Sequence, residues 1–450
     1  MNTHSVLRNI GYWLALAALA TATSAHAQYS AAPAEPGLPT KTTYVRLSNI
    51  ANAILVEPVT LNDRSRIAVV VSHPGHLNNF EYFIAPGMAR YGYRVMLVNY
   101  YGPMTTYYEY LAPISLAIKA MRAMPGVEKV LLAGHSTGGT EATFYQDVAE
   151  NGPKACQEPA RIYKCQTKDA ENLPRADAMV LLDANTGAPE RVRKTNPAVD
   201  PHHPRRYDVS LDLFSPKNGY DPTTGAANYS AAFLKRFYAA QAAQVNGLID
   251  EAQARLAVIE KGEGEYRSDE PFEDGSYPLF EGPSPEQAYI HLLWKTHAPH
   301  RLLTPDGSDP VQIISLVKQP KMRPMDTPTH RETPNAETVR SFLTAGPLRV
   351  TSDYHWTEDN MYGVVWRSSP ASLPGNIEGV HVPTLIIAST CSEHMVSLEI
   401  AYDRSPAKDK EFVGLEGASH FFTACRPEYG DTFKRGFDYV DAWLSKLGRL

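Results

Sequence analysis

The chain has 450 residues, enough for one large domain with an insertion or for two domains. Apolar residues make up 43% and charged residues 20%, an ordinary globular balance that excludes a wholly disordered chain. The formal net charge of -6 is too small to point to nucleic acid as a partner or to an acidic tail.

In chain order, Arg8, the apolar run Gly11–Ala20 and Ala25-His26-Ala27 read as an export signal over residues 1–27, cut before Gln28. The run is too short to span a bilayer, and no later segment matches a membrane helix, so no stable membrane insertion is expected. Residues 28–42 are rich in Pro and Ala and are expected to form a disordered lead. Export permits disulfides, and the four cysteines divide into Cys156 with Cys165 and Cys391 with Cys425, although sequence alone does not fix connectivity.

A regular alternation follows. Strand-like runs occur at Thr43–Leu47, Ala53–Val59, Ile67–Ser72, Arg94–Asn99, Lys129–Ala133, Ala178–Asp183, Thr384–Ala388 and Glu411–Leu415. Helical patterns at Phe80–Arg90, Ile114–Ala123, Thr140–Glu150 and Asp431–Leu447 separate most of them. Several runs are almost purely apolar, as in strands buried on both faces. The class expected is α/β, with a mostly parallel central sheet and helices on both faces. Residues 191–379 break the rhythm and are expected to form a mainly helical cap or lid. Within them, Phe233, Phe237, Val245, Leu248, Ala252, Leu256 and Ile259 mark one face of a helix over about Ser230–Lys261. Ser284, Pro285 and Gln287 signal the start of another. The expected core is then 43–190 together with 380–450.

Gly134-His135-Ser136-Thr137-Gly138 follows the apolar run Val130–Ala133 and precedes a helical pattern. Small residues around a serine on a tight strand-to-helix turn allow strained backbone that lifts the hydroxyl out of the sheet. The helix N-terminus supplies N–H groups beside it. A serine nucleophile also needs a base and an acid that orients the base. His420 follows the last strand-like run and precedes the last helix. Glu393 stands past Thr384–Ala388, in the order Ser, acid, His, and Asp183 at the end of Ala178–Asp183 is the alternative acid. The oxyanion donors expected are the N–H of Thr137 and that of Gly75 or His76, since Pro74 has none. A Cys391–Cys425 bridge would tie the loop of Glu393 to the segment after His420.

Through His73-Pro74-Gly75, Gly134–Gly138, Val382–Ile387 and Gly417-Ala418-Ser419-His420, the chain resembles serine esterases of the α/β-hydrolase superfamily. The match covers Thr43–Glu190 and about Val380–Leu450. It implies an α/β-hydrolase fold, with Ser136 as nucleophile, His420 as base and Glu393 as acid. His73-Pro74 replaces the more usual His-Gly of relatives, and aspartate is more usual than glutamate as the acid.

The function expected is that of an exported serine hydrolase, periplasmic or secreted, acting on small-molecule or polymeric carboxylic esters through an acyl-enzyme. An amidase, lactonase, thioesterase or acyltransferase could use the same residues. A non-catalytic binding module is the alternative from another class. Tyr100, Tyr101, Tyr107, Tyr108 and Tyr110 would border the pocket or pack beneath the cap, and His135 and Phe421 would complete its wall. His202, His203, His291, His297 and His300 match no strong ligand spacing, and serine acyl transfer requires neither metal nor cofactor. Oligomeric state is left open.

Overall fold

The computed structural model describes residues 37–72, 82–100, 106–224, 226–266, 268–272, 292–317 and 337–446. The expected export signal, most of the lead and the helix expected at Ser284 lie outside these residues.

Ten strands form the central sheet: β1 (Thr40–Arg46), β2 (Ala51–Pro58), β3 (Ile67–Ser72), β4 (Arg94–Tyr100), β5 (Lys129–Ser136), β6 (Ala178–Ala184), β7 (His300–Leu303), β8 (Val311–Gln312), β9 (Thr384–Ser389) and β10 (Lys410–Leu415). Their spatial order is β1-β2-β4-β3-β5-β6-β9-β10-β7-β8. Every pairing from β4 to β7 is parallel. Both edges are antiparallel, β1 on β2 and β2 on β4 at one side and β7 on β8 at the other. The expected mostly parallel sheet is therefore present. Two differences stand out. Thr40 to Thr42 of the expected lead belong to β1, and β7 and β8, which lie inside 191–379, extend the central sheet. Both of these short strands are too polar to have announced themselves as strands.

The parallel strands are apolar on both sides because both faces are covered. Val69, Val71, Leu131, Val180, Leu182, Leu385 and Ile387 point into one buried layer. It is covered by α1 (Ile84–Ala89) and by Phe433, Phe437, Val440 and Trp443 of the C-terminal helix, Thr432–Leu444. Alternate residues Ala68, Val70, Val130, Leu132, Met179, Leu181 and Ile386 point into the other layer. That face carries α2 (Leu111–Arg122) and α3 (Thr137–Asn151), with α4 (Ala188–Lys194) following β6. Burial of each large apolar side chain stabilises by about 1.5–3 kcal/mol.

From 191–379 comes α5 (Ala231–Glu260), begun where the Ser230 hydroxyl accepts the N–H of Phe233 at 3.2 Å. Gln241 of α5 donates to the carbonyls of Arg193 and Thr195 at the C-terminal end of α4, so this helix is fastened beside the end of the core. α6 (Val339–Ala345) meets the tyrosine segment after β4, where the Tyr107 N–H reaches Thr344 Oγ1 at 3.1 Å. After β9, α7 (Met395–Arg404) leads into β10, and α8 is the C-terminal helix named above.

Candidate active site

β5 ends at Ser136 and α3 begins at Thr137, with no loop between them. Ser136 has φ 54 and ψ -136, a conformation that L-residues avoid. Two glycines make this turn possible. A Cβ on Gly134 would lie 2.5 Å from the Gly139 backbone, and one on Gly139 would lie 2.2 Å from Ala184 Cβ. Gly139 was not singled out in the sequence, although the Gly138-Gly139 doublet was its visible signal. Thr137, at the first position of α3, has a backbone N–H with no acceptor inside the helix.

The register of β5 on β6 fixes where Asp183 stands. Pairing runs in step to His135 opposite Leu182 and then slips, so Ser136 faces Ala184 and Asp183 is left over. Asp183 has φ 41 and is fully buried. Its Oδ1 accepts the Ser389 N–H at 2.9 Å, and its Oδ2 lies 2.7 Å from His420 Nδ1. A carboxylate accepts, so Nδ1 carries the hydrogen and Nε2 of His420 is left as an acceptor.

Glu393 does not meet His420. Its Oε1 accepts from Lys194 Nζ at 2.9 Å, an ion pair with the end of α4. Burial pushes the Glu393 carboxyl up, but Lys194, His394 and Arg193 outweigh it and hold it below its usual range. The contact with His420 expected of Glu393 is thus corrected to Asp183, the alternative acid of the sequence reading.

His420 is presented by a tight turn in which Ser419 N–H reaches the Thr423 carbonyl at 2.7 Å and Phe422 N–H the Ser419 carbonyl at 3.0 Å. His135 clamps this turn from below. Its Nε2 donates to the His420 carbonyl at 2.7 Å, so its Nδ1 must accept, and the Tyr82 hydroxyl donates to it. Burial pushes the Tyr82 phenol well above its usual range, which keeps that hydrogen in place. His135 is fully buried with both nitrogens engaged, so it does not line a substrate wall as expected. Tyr100 is likewise withdrawn, its hydroxyl 3.1 Å from Ser72 Oγ and 3.3 Å from Glu141 Oε2. Phe421 is partly exposed, its ring 5.1 Å from that of His420. Gly75, His76 and Tyr101 lie outside the described residues.

At the start of α3, a cavity of about 300 Å³ is lined by Tyr107, Tyr110, Thr137, Thr140, Asn185 and Arg191. Tyr107 and Tyr108 are buried, Tyr108 with its hydroxyl on the Tyr163 carbonyl. The disulfide Cys391–Cys425 joins the loop after β9 to the segment after His420, and Cys156–Cys165 closes a short loop after α3. His297 and His300 both contact the buried Glu399 of α7, at 3.0 and 2.8 Å, which fastens β7 to that helix. His202 pairs with Glu251 on the surface, and His291 lies outside the described residues.

The strand order, the reversed second strand and a strained serine between the fifth strand and its helix decide the architecture. The fold is that of the α/β-hydrolases. No family model and no curated protein matches the chain. Among solved structures, Est1E from Butyrivibrio proteoclasticus is 12% identical, with 90% of this chain and 97% of that one covered and a TM-score of 0.37. The siderophore hydrolase EstB from Aspergillus fumigatus is 10% identical over 91% and 98%, with a TM-score of 0.39. A hormone-sensitive lipase from a metagenome library is 10% identical over 94% and 90%, with a TM-score of 0.41. At these scores the likenesses carry no weight for substrate or mechanism. The carboxylate that meets His420 follows the sixth strand, and Glu393 in the loop after β9 is in an ion pair with Lys194 instead.

Proposed function

We propose that the chain is an exported serine hydrolase that cleaves carboxylic esters through Ser136, His420 and Asp183. The observation that carries the reading is the 2.7 Å contact between His420 Nδ1 and the buried Asp183 carboxylate, at the strand edge where Ser136 is held on its elbow. His420 Nε2 takes the hydroxyl proton as Ser136 Oγ attacks the acyl carbon. Asp183 faces the imidazolium that forms, and the N–H of Thr137 receives the oxyanion. Collapse breaks the bond to the alcohol oxygen, which takes the proton from His420. A water, deprotonated by His420 in turn, attacks the acyl-serine and releases the acid. No step needs a metal or cofactor. Export is supported by the pairing of all four cysteines, since disulfides persist in oxidising compartments. Among the described residues, no helix is long and apolar enough to cross a membrane.

The test is hydrolysis of p-nitrophenyl esters of increasing acyl length by the mature chain and by Ser136→Ala. Turnover that disappears in the variant supports the reading. Equal rates from both, or none from either on esters of every length, overturn it.

A further inference from the structure

The loop after β9 delivers a histidine, not an acid, to the site. His394 is buried, and its ring centroid lies 5.0 Å from that of His420, edge to face. One of its nitrogens lies within 4.8 Å of a carboxylate oxygen of Asp183 and of a ring nitrogen of His420. On its other side, Nδ1 is 2.9 Å from Oε1 of Glu190 in α4. Glu190 is itself a hub for the chain just past Asp183. It accepts from Asn185 Nδ2 at 2.6 Å, from Thr186 N–H at 2.9 Å and from Thr186 Oγ1 at 3.1 Å. The loop that begins at Asp183 and the ring beside His420 are therefore held by one carboxylate.

The charge states follow from the surroundings. Burial pulls the His394 imidazole down, but Glu190 first, then Asp183 and Glu393, outweigh it and push it up to about 9. Burial pushes Glu190 up, but His394, Arg193 and Lys194 hold it well below the usual carboxylate range. His394 is thus an imidazolium at neutral pH. The groups facing it are Glu190 from α4, Asp183 from β6, Glu393 from its own loop and His420 from the turn after β10, while Arg193 and Lys194 of α4 act on Glu190 and Glu393.

We propose that Glu190 and His394 form a second carboxylate–histidine pair whose fixed positive charge sits against His420 and sets the acidic limit of the reaction. His394 is a positioning residue and touches no reacting atom. A cation facing an imidazole opposes a second positive charge beside it, so the pair acts on the acidic limb of turnover. The inference rests on the proposed serine-hydrolase reading for its kinetic readout, but the charge arrangement can be measured without turnover.

The experiment compares wild type, His394→Gln and His394→Lys, each first shown folded by its thermal melt. The kcat/KM of p-nitrophenyl butyrate hydrolysis is followed across pH. His394→Gln is expected to move the acidic limb upward by roughly 2–2.5 pH units, the size expected of one charge about 5 Å away at an effective dielectric near 20. His394→Lys, which restores a cation opposite Glu190, is expected to keep the wild-type limb. An unmoved limb in His394→Gln, or the same shift in both variants, overturns the proposal. If the wild type turns over no ester, the function reading fails on its own. The proton–carbon titration curves of the two histidine rings then decide. A His394 protonated at pH 7, with a His420 midpoint that rises in His394→Gln and not in His394→Lys, supports the pair, and any other pattern overturns it.

Discussion

Asp183→Asn separates the two acid candidates most sharply. In the wild type, Oδ1 accepts the Ser389 N–H and Oδ2 accepts from His420 Nδ1. An asparagine can keep the first bond only by turning its amide nitrogen towards His420. Nδ1 must then accept, which moves the hydrogen to Nε2, the nitrogen that has to receive the serine proton. The variant also removes the anion facing the imidazolium. Charges about 4 Å apart at an effective dielectric near 20 interact by about 4 kcal/mol, equivalent to a factor of roughly 10³ in rate. With the wrong tautomer added, kcat for p-nitrophenyl butyrate should fall by about 10³–10⁴. Glu393→Gln breaks a partly exposed pair with Lys194 and leaves the Asp183–His420 contact in place, so kcat should stay within about fivefold. Steady-state kinetics beside thermal melts would check both. A collapse of kcat in Glu393→Gln with activity kept in Asp183→Asn would refute the reasoning.

Other variants probe the scaffold around the site. Glu141 is fully buried behind Ser72 and Tyr100, and burial pushes its carboxyl up to about 8 against the pull of those two hydroxyls. Its proton therefore stabilises the fold fully below about pH 4.5, and that stability is lost as pH rises to about 8, by up to about 5 kcal/mol. Melts between pH 5 and 9 should fall with pH in the wild type and flatten in Glu141→Gln. Gly139→Ala puts a methyl 2.2 Å from Ala184 Cβ, so it should destabilise by about 1–3 kcal/mol and disable the elbow, read by melt and by ester turnover. The Cys391–Cys425 bridge spans 34 residues, and replacing both cysteines by serine should cost about 3–4 kcal/mol, measured by denaturant unfolding. A change under 1 kcal/mol would mean that packing, not the bridge, holds the His420 turn.

Much of the framework was legible because buried parallel strands are written as short apolar runs. Ile67–Ser72 is a strand with the same ends in both readings, and most others differ by one to three residues. The positions of Ser136 at the end of β5 and of His420 after β10 were legible. The acid was not, because Asp183 and Glu393 each follow a strand that ends at the same edge. The choice rests on a register slip opposite Ser136 and on a lysine 199 positions before Glu393 in the chain, neither of which leaves a local pattern. His394 was hidden for the same reason, since its partner Glu190 lies 204 positions away. The polar atoms of Tyr100 and His135 were also misplaced by sequence reasoning. Tyrosine and histidine beside a catalytic turn look the same in sequence whether they face substrate or clamp the core.

The central claim is that Ser136 is an activated nucleophile. Incubation with a fluorophosphonate, followed by intact mass and peptide mapping, tests it directly. One adduct per chain is expected, on the peptide carrying Ser136, absent in Ser136→Ala and slow to form in Asp183→Asn. No adduct on the folded wild type, or one on a different serine, would contradict the account.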